Sequence, residues 1–200
     1  DRRAVPPCEH LGKSSARKHP DTVKCKKLSA RCSMTKAAND LSSLGWEPGS
    51  MGELDHRLVK APYIRLSSGK RGVRGDCVYV FDLRITQPNT SYMTTIQIHS
   101  LEHLFLAGFR KHLPSSFISV APMGCQTGFY LILLNEARAR VVQKIYKRIL
   151  TEILSMAEIP YANDKDCGQF IHHNIKEAKK IAKMLLRAED KWLSVFGAAA

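Results

Sequence analysis

No stretch of this chain approaches the roughly 20 consecutive apolar residues that a membrane-crossing helix needs, so no membrane association through helices is expected. The first residues, Asp1-Arg2-Arg3, are charged and lack the apolar centre of a secretory signal, so a cytoplasmic address is expected. Acidic residues are scarce: 18 Asp and Glu against 31 Lys and Arg leave a net charge of +13. Such an excess suits nucleic acid or an anionic lipid surface. However, the chain has no helix-turn-helix, RNA-recognition or phosphate-loop signature. No nucleic-acid partner is expected, and the excess reads as solvated charge. Internal repeats and a regular β-α-β alternation are missing too, which removes solenoids and doubly wound sheets.

What is there suffices for one domain with an appendage. The apolar share of 44% supports a real core. Residues 1–50 are polar, basic and Ser-rich, with Pro6-Pro7, Pro20 and Pro48-Gly49, and sustain no period. A loosely ordered N-terminal extension is expected there. It holds Cys8, His10, His19, Cys25 and Cys32, at spacings that fit no recognised metal-ligand pattern. Cys77, Cys125 and Cys167 complete a set of six cysteines. In a reducing compartment these are mostly thiols, so the question is which of them act and not which of them pair.

The folded body is expected from near Leu54. Lys60–Leu66 reads as a strand closed by Ser67-Ser68-Gly69, and Cys77–Ile85 alternates as a second strand. Thr94 or Thr95 can cap a helix running to about His112, stopped by Pro114. Phe117–Val120 and Thr127–Leu134 read as strands on either side of a Pro-Met-Gly-Cys turn at 122–125. Glu136–Ala157 and Asn174–Phe196 carry apolar residues at helical spacing. This mixture predicts an α+β fold, a two-layer sandwich with an antiparallel sheet packed against helices on one side.

Within the first expected helix, His99, Glu102 and His103 occupy positions i, i+3 and i+4 and share one face. Two imidazoles so placed can grip one metal ion, with a carboxylate beside it to accept a proton. The order H-x-x-E-H is that of the inverzincins, so a zinc metallopeptidase is one reading. A catalytic metal usually has three protein ligands and an open position, so a third donor must come from elsewhere. Cys167, in a loop before a helix N-terminus, is the best candidate, with His172 and His173 as alternatives. Cys125 sits in Pro122-Met123-Gly124-Cys125-Gln126-Thr127-Gly128, where flanking glycines leave backbone free to approach a ligand. A thiol displayed on that turn can act as nucleophile or acid/base once a nearby cation lowers its pKa. Taken alone, His56 reads as a surface or capping residue and Arg84 as the partner of a local acid such as Asp82.

Five motifs occur together in order: Leu54-Asp55-His56 with Ala61-Pro62-Tyr63; Asp82-Leu83-Arg84 with Gln87-Pro88-Asn89; Ile98–Leu104; Pro122–Tyr130; and Cys167-Gly168-Gln169. In this the chain resembles the S-ribosylhomocysteine lyase (LuxS) family over residues 51–197, a stretch expected to be the catalytic domain. The first 50 residues match nothing in that family. The resemblance implies a homodimer with one Fe2+ per subunit, which Zn2+ or Co2+ can replace, held near the subunit interface by His99, His103 and Cys167. It implies Cys125 and Glu102 as the catalytic acid/base pair. His56 and Arg84 then fall in a substrate pocket shared across the dimer, with Ser119 and Gly168 as further substrate-binding positions. The implied substrate is S-ribosylhomocysteine, cleaved to homocysteine and 4,5-dihydroxy-2,3-pentanedione, the autoinducer-2 precursor of quorum sensing. That chemistry moves a sugar carbonyl from C1 to C3 by proton transfers and then eliminates the thioether. Three positions depart from the family pattern. Ser119 stands where an acid is usual, Ala121 where a serine precedes the proline, and Met51 where another serine is usual. Losing one carboxylate contact to a substrate ammonium costs about 1.5–3 kcal/mol, roughly ten- to a hundred-fold in affinity. The remaining alternative, a non-enzymatic basic binding module, would rest on residues 1–50.

Overall fold

A computed structural model of the chain describes residues 42–196. Cys8, His10, His19, Cys25 and Cys32 lie outside the described residues, as does most of the expected extension. Strands β1 (Tyr63–Arg71), β2 (Cys77–Arg84), β3 (Phe117–Pro122) and β4 (Gly128–Leu134) form an antiparallel sheet in the order β1-β2-β4-β3. It is accompanied by helices α1 (Thr95–His112), α2 (Ala139–Ser155) and α3 (Ile175–Arg187). The architecture is the expected α+β.

Strand alternation places the layers. On β2, Phe81 and Leu83 pair with Leu66 and Ile64 of β1 and with Leu131 and Phe129 of β4. These side chains share one buried core with Leu101, Leu104, Phe105 and Phe109 of α1. Val142, Tyr146 and Ile149 of α2 and Ala178, Ile181 and Leu185 of α3 complete it. The alternate residues Tyr63, Arg65, Asp82 and Arg84 therefore face away from the helices, and yet all four are buried. The C-terminal segment helps to cover them. Lys60 N–H donates to the Val195 carbonyl (2.8 Å) and Ile64 N–H to that of Trp192 (2.6 Å). Val195 packs with Val59 and Tyr63 in a small second apolar cluster.

Most elements shift by one to three residues at an end, and two differ by more. The helix expected over 174–196 ends at Arg187, and a short 3₁₀ turn (Glu189–Lys191) follows. The reversal buries Trp192 completely, with its indole N–H on the Leu185 carbonyl (3.1 Å) and its ring 5.1 Å from that of Tyr146. Strand β1 does not close at Ser67-Ser68-Gly69 but continues through a bulge between Leu66 and Ser68. Gly69 suits that path because a Cβ there would lie 2.9 Å from the Tyr79 ring.

Residues just before the expected domain start are part of the core. Trp46 is 3% exposed, its ring centre is 5.6 Å from that of Phe81, and its indole N–H donates to the Ala137 carbonyl (2.7 Å). Arg65 donates to the carbonyls of Ser50 and Gly52 (2.7 Å each), and the Glu47 carboxylate accepts from Val195 N–H. Trp46→Ala should therefore lower stability by about 3–5 kcal/mol, read as a drop in the urea midpoint. An unchanged midpoint would mean that this packing contributes nothing.

Candidate metal centre and adjoining cleft

Helix α1 starts at a capping box: Thr94 Oγ1 accepts from Gln97 N–H (3.3 Å) and Gln97 Oε1 from Thr94 N–H (2.9 Å). Just before it, Met93 N–H donates to the Gln126 carbonyl (2.9 Å), tying the helix start to the β3–β4 turn. His99, Glu102 and His103 follow on the first turns. His103 is buried, and its Nδ1 lies 2.8 Å from the Pro160 carbonyl. A carbonyl only accepts, so Nδ1 carries the proton and Nε2 offers a lone pair. The nearby His172 backbone favours the protonated form of the His99 ring, a smaller effect than the main lowering ones.

The third donor arrives from the loop between α2 and α3. Asn163 Oδ1 accepts from the N–H groups of Lys165 and Asp166 (3.0 Å each), and its carbonyl accepts from Cys167 N–H (3.0 Å). That turn presents Cys167 Sγ at 3.3 Å from His99 Nε2. Asn174 then caps α3 through Lys176 and Glu177 N–H (3.0 and 3.2 Å), while its own N–H donates to Ser100 Oγ of α1 (2.8 Å). This contact pins the start of α3 to α1 and brings His173 in, its Nε2 3.5 Å from Cys167 Sγ. The ligand atoms of His99, His103, Cys167 and His173 all lie within 4.8 Å of one another.

Burial lowers the pKa of His99, and the neighbouring His103 lowers it further, against a partial offset from Glu102. Burial, then His99 and His103, push His173 down to about 4. At neutral pH these rings are therefore neutral, the form that binds metal. Two imidazole nitrogens and a thiol make a borderline-soft set suited to zinc, iron(II) or cobalt(II). Two imidazoles radiating tetrahedrally from one ion hold their ring centres about 5 Å apart, given metal–nitrogen bonds of about 2.1 Å. The His99 and His103 centres are 5.0 Å apart, so the pair fits a divalent metal.

A second cluster forms where β2 meets the β3–β4 turn. Pairing of Arg84 with Gly128 brings Arg84 beside Thr127 and Cys125. Arg84 Nη1 donates to Thr127 Oγ1 (2.6 Å), which leaves that hydroxyl's proton for Cys125 Sγ at 3.0 Å. Arg84 Nη1 is also 3.8 Å from the sulfur. The guanidinium is held from below by Asp82, which accepts from Arg84 Nε (3.2 Å) and Nη2 (2.8 Å) and from Arg65 Nε (3.2 Å). Burial works against the Arg84 charge, and the Asp82 carboxylate more than offsets it, raising its pKa. Two guanidiniums on one carboxylate leave local positive charge. Burial alone would raise the Cys125 thiol, but the Thr127 hydrogen bonds and the Arg84 charge bring it below the ordinary cysteine value. His56, Arg84, Cys125 and Thr127 line a cleft of ≈ 560 Å³ with Asn89 and Ser91.

The structure thus gathers His99, His103 and Cys167 in one place and Cys125, Arg84 and His56 in another. Glu102 is half-buried on α1 beside the first group. Ser119 is half-buried on β3 opposite Ile132, outside the cleft lining. Gly168 is exposed directly after Cys167, with open space where a Cβ would stand. His173 and Thr127 belong to the clusters although the sequence assigns neither a definite role. Thr127 stands two residues from Cys125 on a tight turn, which is the one local signal for it.

Comparison with known proteins agrees with this picture. Residues 51–196 match the family model described as S-ribosylhomocysteinase (LuxS). The S-ribosylhomocysteine lyase of Dichelobacter nodosus is 41% identical over 143 residues, covering 72% of this chain and 92% of that protein. Those of Halobacillus halophilus and Listeria monocytogenes are each 40% identical, covering 72% of this chain and 93% and 92% of theirs. Five motifs in order, two clustered sets of site side chains and matches along nearly the full length of these relatives place the chain in the S-ribosylhomocysteinase (LuxS) family.

Proposed function

We propose that this protein is a metal-dependent carbon–sulfur lyase that cleaves S-ribosylhomocysteine to homocysteine and 4,5-dihydroxy-2,3-pentanedione. The observation that carries the reading is the second cluster. A hydrolytic metal centre needs only His99, His103, Cys167 and Glu102, whereas the activated Cys125 thiol beside Arg84 has no task in peptide hydrolysis. His99, His103 and Cys167 would hold the ion, which we read as Fe2+, replaceable by Zn2+ or Co2+. When bound, that ion supplies a Lewis acid for sugar oxygens.

The chain's own residues account for the proton movements. Moving a carbonyl along a sugar requires a proton to leave one carbon and return to its neighbour, so each step needs a base that becomes an acid. Cys125, whose thiolate form Thr127 and Arg84 favour, suits one such role. Glu102, a half-buried carboxylate on α1, suits the second, on the other side of the sugar. Once the carbonyl stands at C3, removing the C4 proton expels homocysteine from C5. The balance is substrate to two products, with no net water or redox partner. His56 and Arg84, both on the cleft wall, would bind substrate, with Ser119 and Gly168 as further proposed positions outside that lining. With Ser119 in place of an acid, affinity for the amino-acid end should be reduced.

The reading includes a homodimer in the cytoplasm, with the basic extension preceding a catalytic domain 51–197 whose core also takes in Trp46. None of the metal-cluster donors lines the Cys125 cleft, and Arg84 faces away from the helix layer that carries His99. A complete site would then combine the cleft of one subunit with the metal cluster of its partner. The direct test is release of free homocysteine thiol from S-ribosylhomocysteine, with no cleavage of peptides. Peptide turnover without thiol release would favour the metallopeptidase instead. Mixing Cys125→Ala with His99→Ala subunits should recover about a quarter of the wild-type rate, because half the dimers are mixed and each has one intact site. No recovery would place both groups in one subunit.

A further inference from the structure

We infer that His173 is not a fourth metal ligand but the hydrogen-bond donor that, with Gln169 N–H, steadies the Cys167 thiolate. The inference rests on the metal-centre reading and is independent of which substrate the site takes. Ring geometry separates the two roles. The His173 ring centre lies 4.0 Å from that of His99 and 4.5 Å from that of His103. Those are packing distances, shorter than the roughly 5 Å that two imidazoles sharing one tetrahedral ion require. The His99–His173 rings are inclined by only 35°, so His173 lies against a ligand ring.

Proton placement points the same way. A histidine that gives its Nε2 lone pair to a metal carries its proton on Nδ1 and hands it to a partner. His103 does so, to the Pro160 carbonyl. His173 Nδ1 is buried and has no hydrogen-bond partner among the described residues. Ligation through Nε2 would strand an N–H there. The other tautomer strands only a lone pair and puts the proton on Nε2, 3.5 Å from Cys167 Sγ. The sulfur already receives Gln169 N–H at 3.4 Å, and a thiolate has lone pairs to spare for both donors and a metal.

Two consequences follow for the site. Protein donors stop at three, which keeps a coordination position open for a substrate oxygen. Two N–H donors also withdraw electron density from the thiolate, leaving a bound cation more acidic.

Cobalt(II) loaded into the full-length protein reports on both points through its spectrum. At saturating cobalt, His173→Leu should still hold one ion per chain, with ligand-field bands unchanged in position and intensity. Its sulfur-to-cobalt charge-transfer band should move to lower energy. His173→Gln, whose amide N–H can reach the sulfur, should return that band toward its wild-type position. Altered ligand-field intensity in His173→Leu would mean that a ligand had been lost and would overturn the inference. An unmoved charge-transfer band, or no recovery in His173→Gln, would also overturn it. Failure of the unmodified protein to bind cobalt would overturn the metal reading itself, whereas the thiol-release assay bears on the substrate alone.

Discussion

His99→Ala should lose the metal and the activity together. Of the three donors, His99 is the one whose removal disturbs least else. It is half-buried, stands outside the apolar core, and its Nε2 faces the Cys167 sulfur at 3.3 Å. Dialysis against a mild chelator should leave the unmodified protein near one ion per chain and the variant near none. Turnover should fall about a thousandfold or more, since a Lewis-acid ion is worth several kcal/mol of transition-state stabilisation. The circular-dichroism spectrum should be unchanged. His103→Ala should behave likewise but also unfold earlier, because it gives up the hydrogen bond to Pro160 that anchors the loop after α2. A dialysed His99→Ala protein that keeps a full equivalent of metal would refute the ligand assignment.

Cys125→Ala should give the opposite pairing, with metal retained and turnover lost. No metal-cluster donor touches Cys125, so metal content should match the unmodified protein. The rate should drop about 10²–10⁴-fold, the usual worth of a positioned acid/base. Wild-type rates in this variant would sink the lyase mechanism. The environment of the thiol makes a separate pH prediction. Iodoacetamide reacts with the thiolate, so its rate should rise with pH through an inflection below that of an ordinary cysteine. Burial raises this thiol, and the Thr127 hydrogen bonds and Arg84 charge lower it. Thr127→Val removes one of the lowering contacts, so the inflection should move to higher pH. An inflection that stays put, or moves lower, would show that the hydroxyl does not stabilise the thiolate.

Much of this site is legible before folding because helical spacing is local. His99, Glu102 and His103 share a face wherever their segment is helical, and the Thr94–Gln97 capping box that starts the helix is equally readable. Trp46 shows where local reading ends. Pro48-Gly49 and the serines around it suggest a loose segment, yet the indole finds Phe81 and the Ala137 carbonyl. No periodicity within the segment announces that partner. The C-terminal helix errs in the other direction: its apolar spacing continues past Arg187, but burying Trp192 against Tyr146 turns the chain back.

Contacts made through sheet register are not local either. Asp82 and Arg84 alternate in the sequence as a solvent-facing pair would. Pairing of β2 with β1 places them beside Arg65 and Tyr63, and pairing with β4 sets Arg84 by Gly128, within reach of Thr127 and Cys125. That both Cys167 and His173 join His99 and His103 likewise depends on the Asn163 turn and the Asn174–Ser100 contact.

The sequence by itself determined the fold class, the family and the residue types able to bind metal and move protons, because these follow from short-range periodicity and motif order. Only the tertiary structure decided which candidate donors converge, what lowers the pKa of Cys125, and that His173 packs against the rings of His99 and His103. Those outcomes depend on distances between segments remote in the chain, which core packing and strand register set.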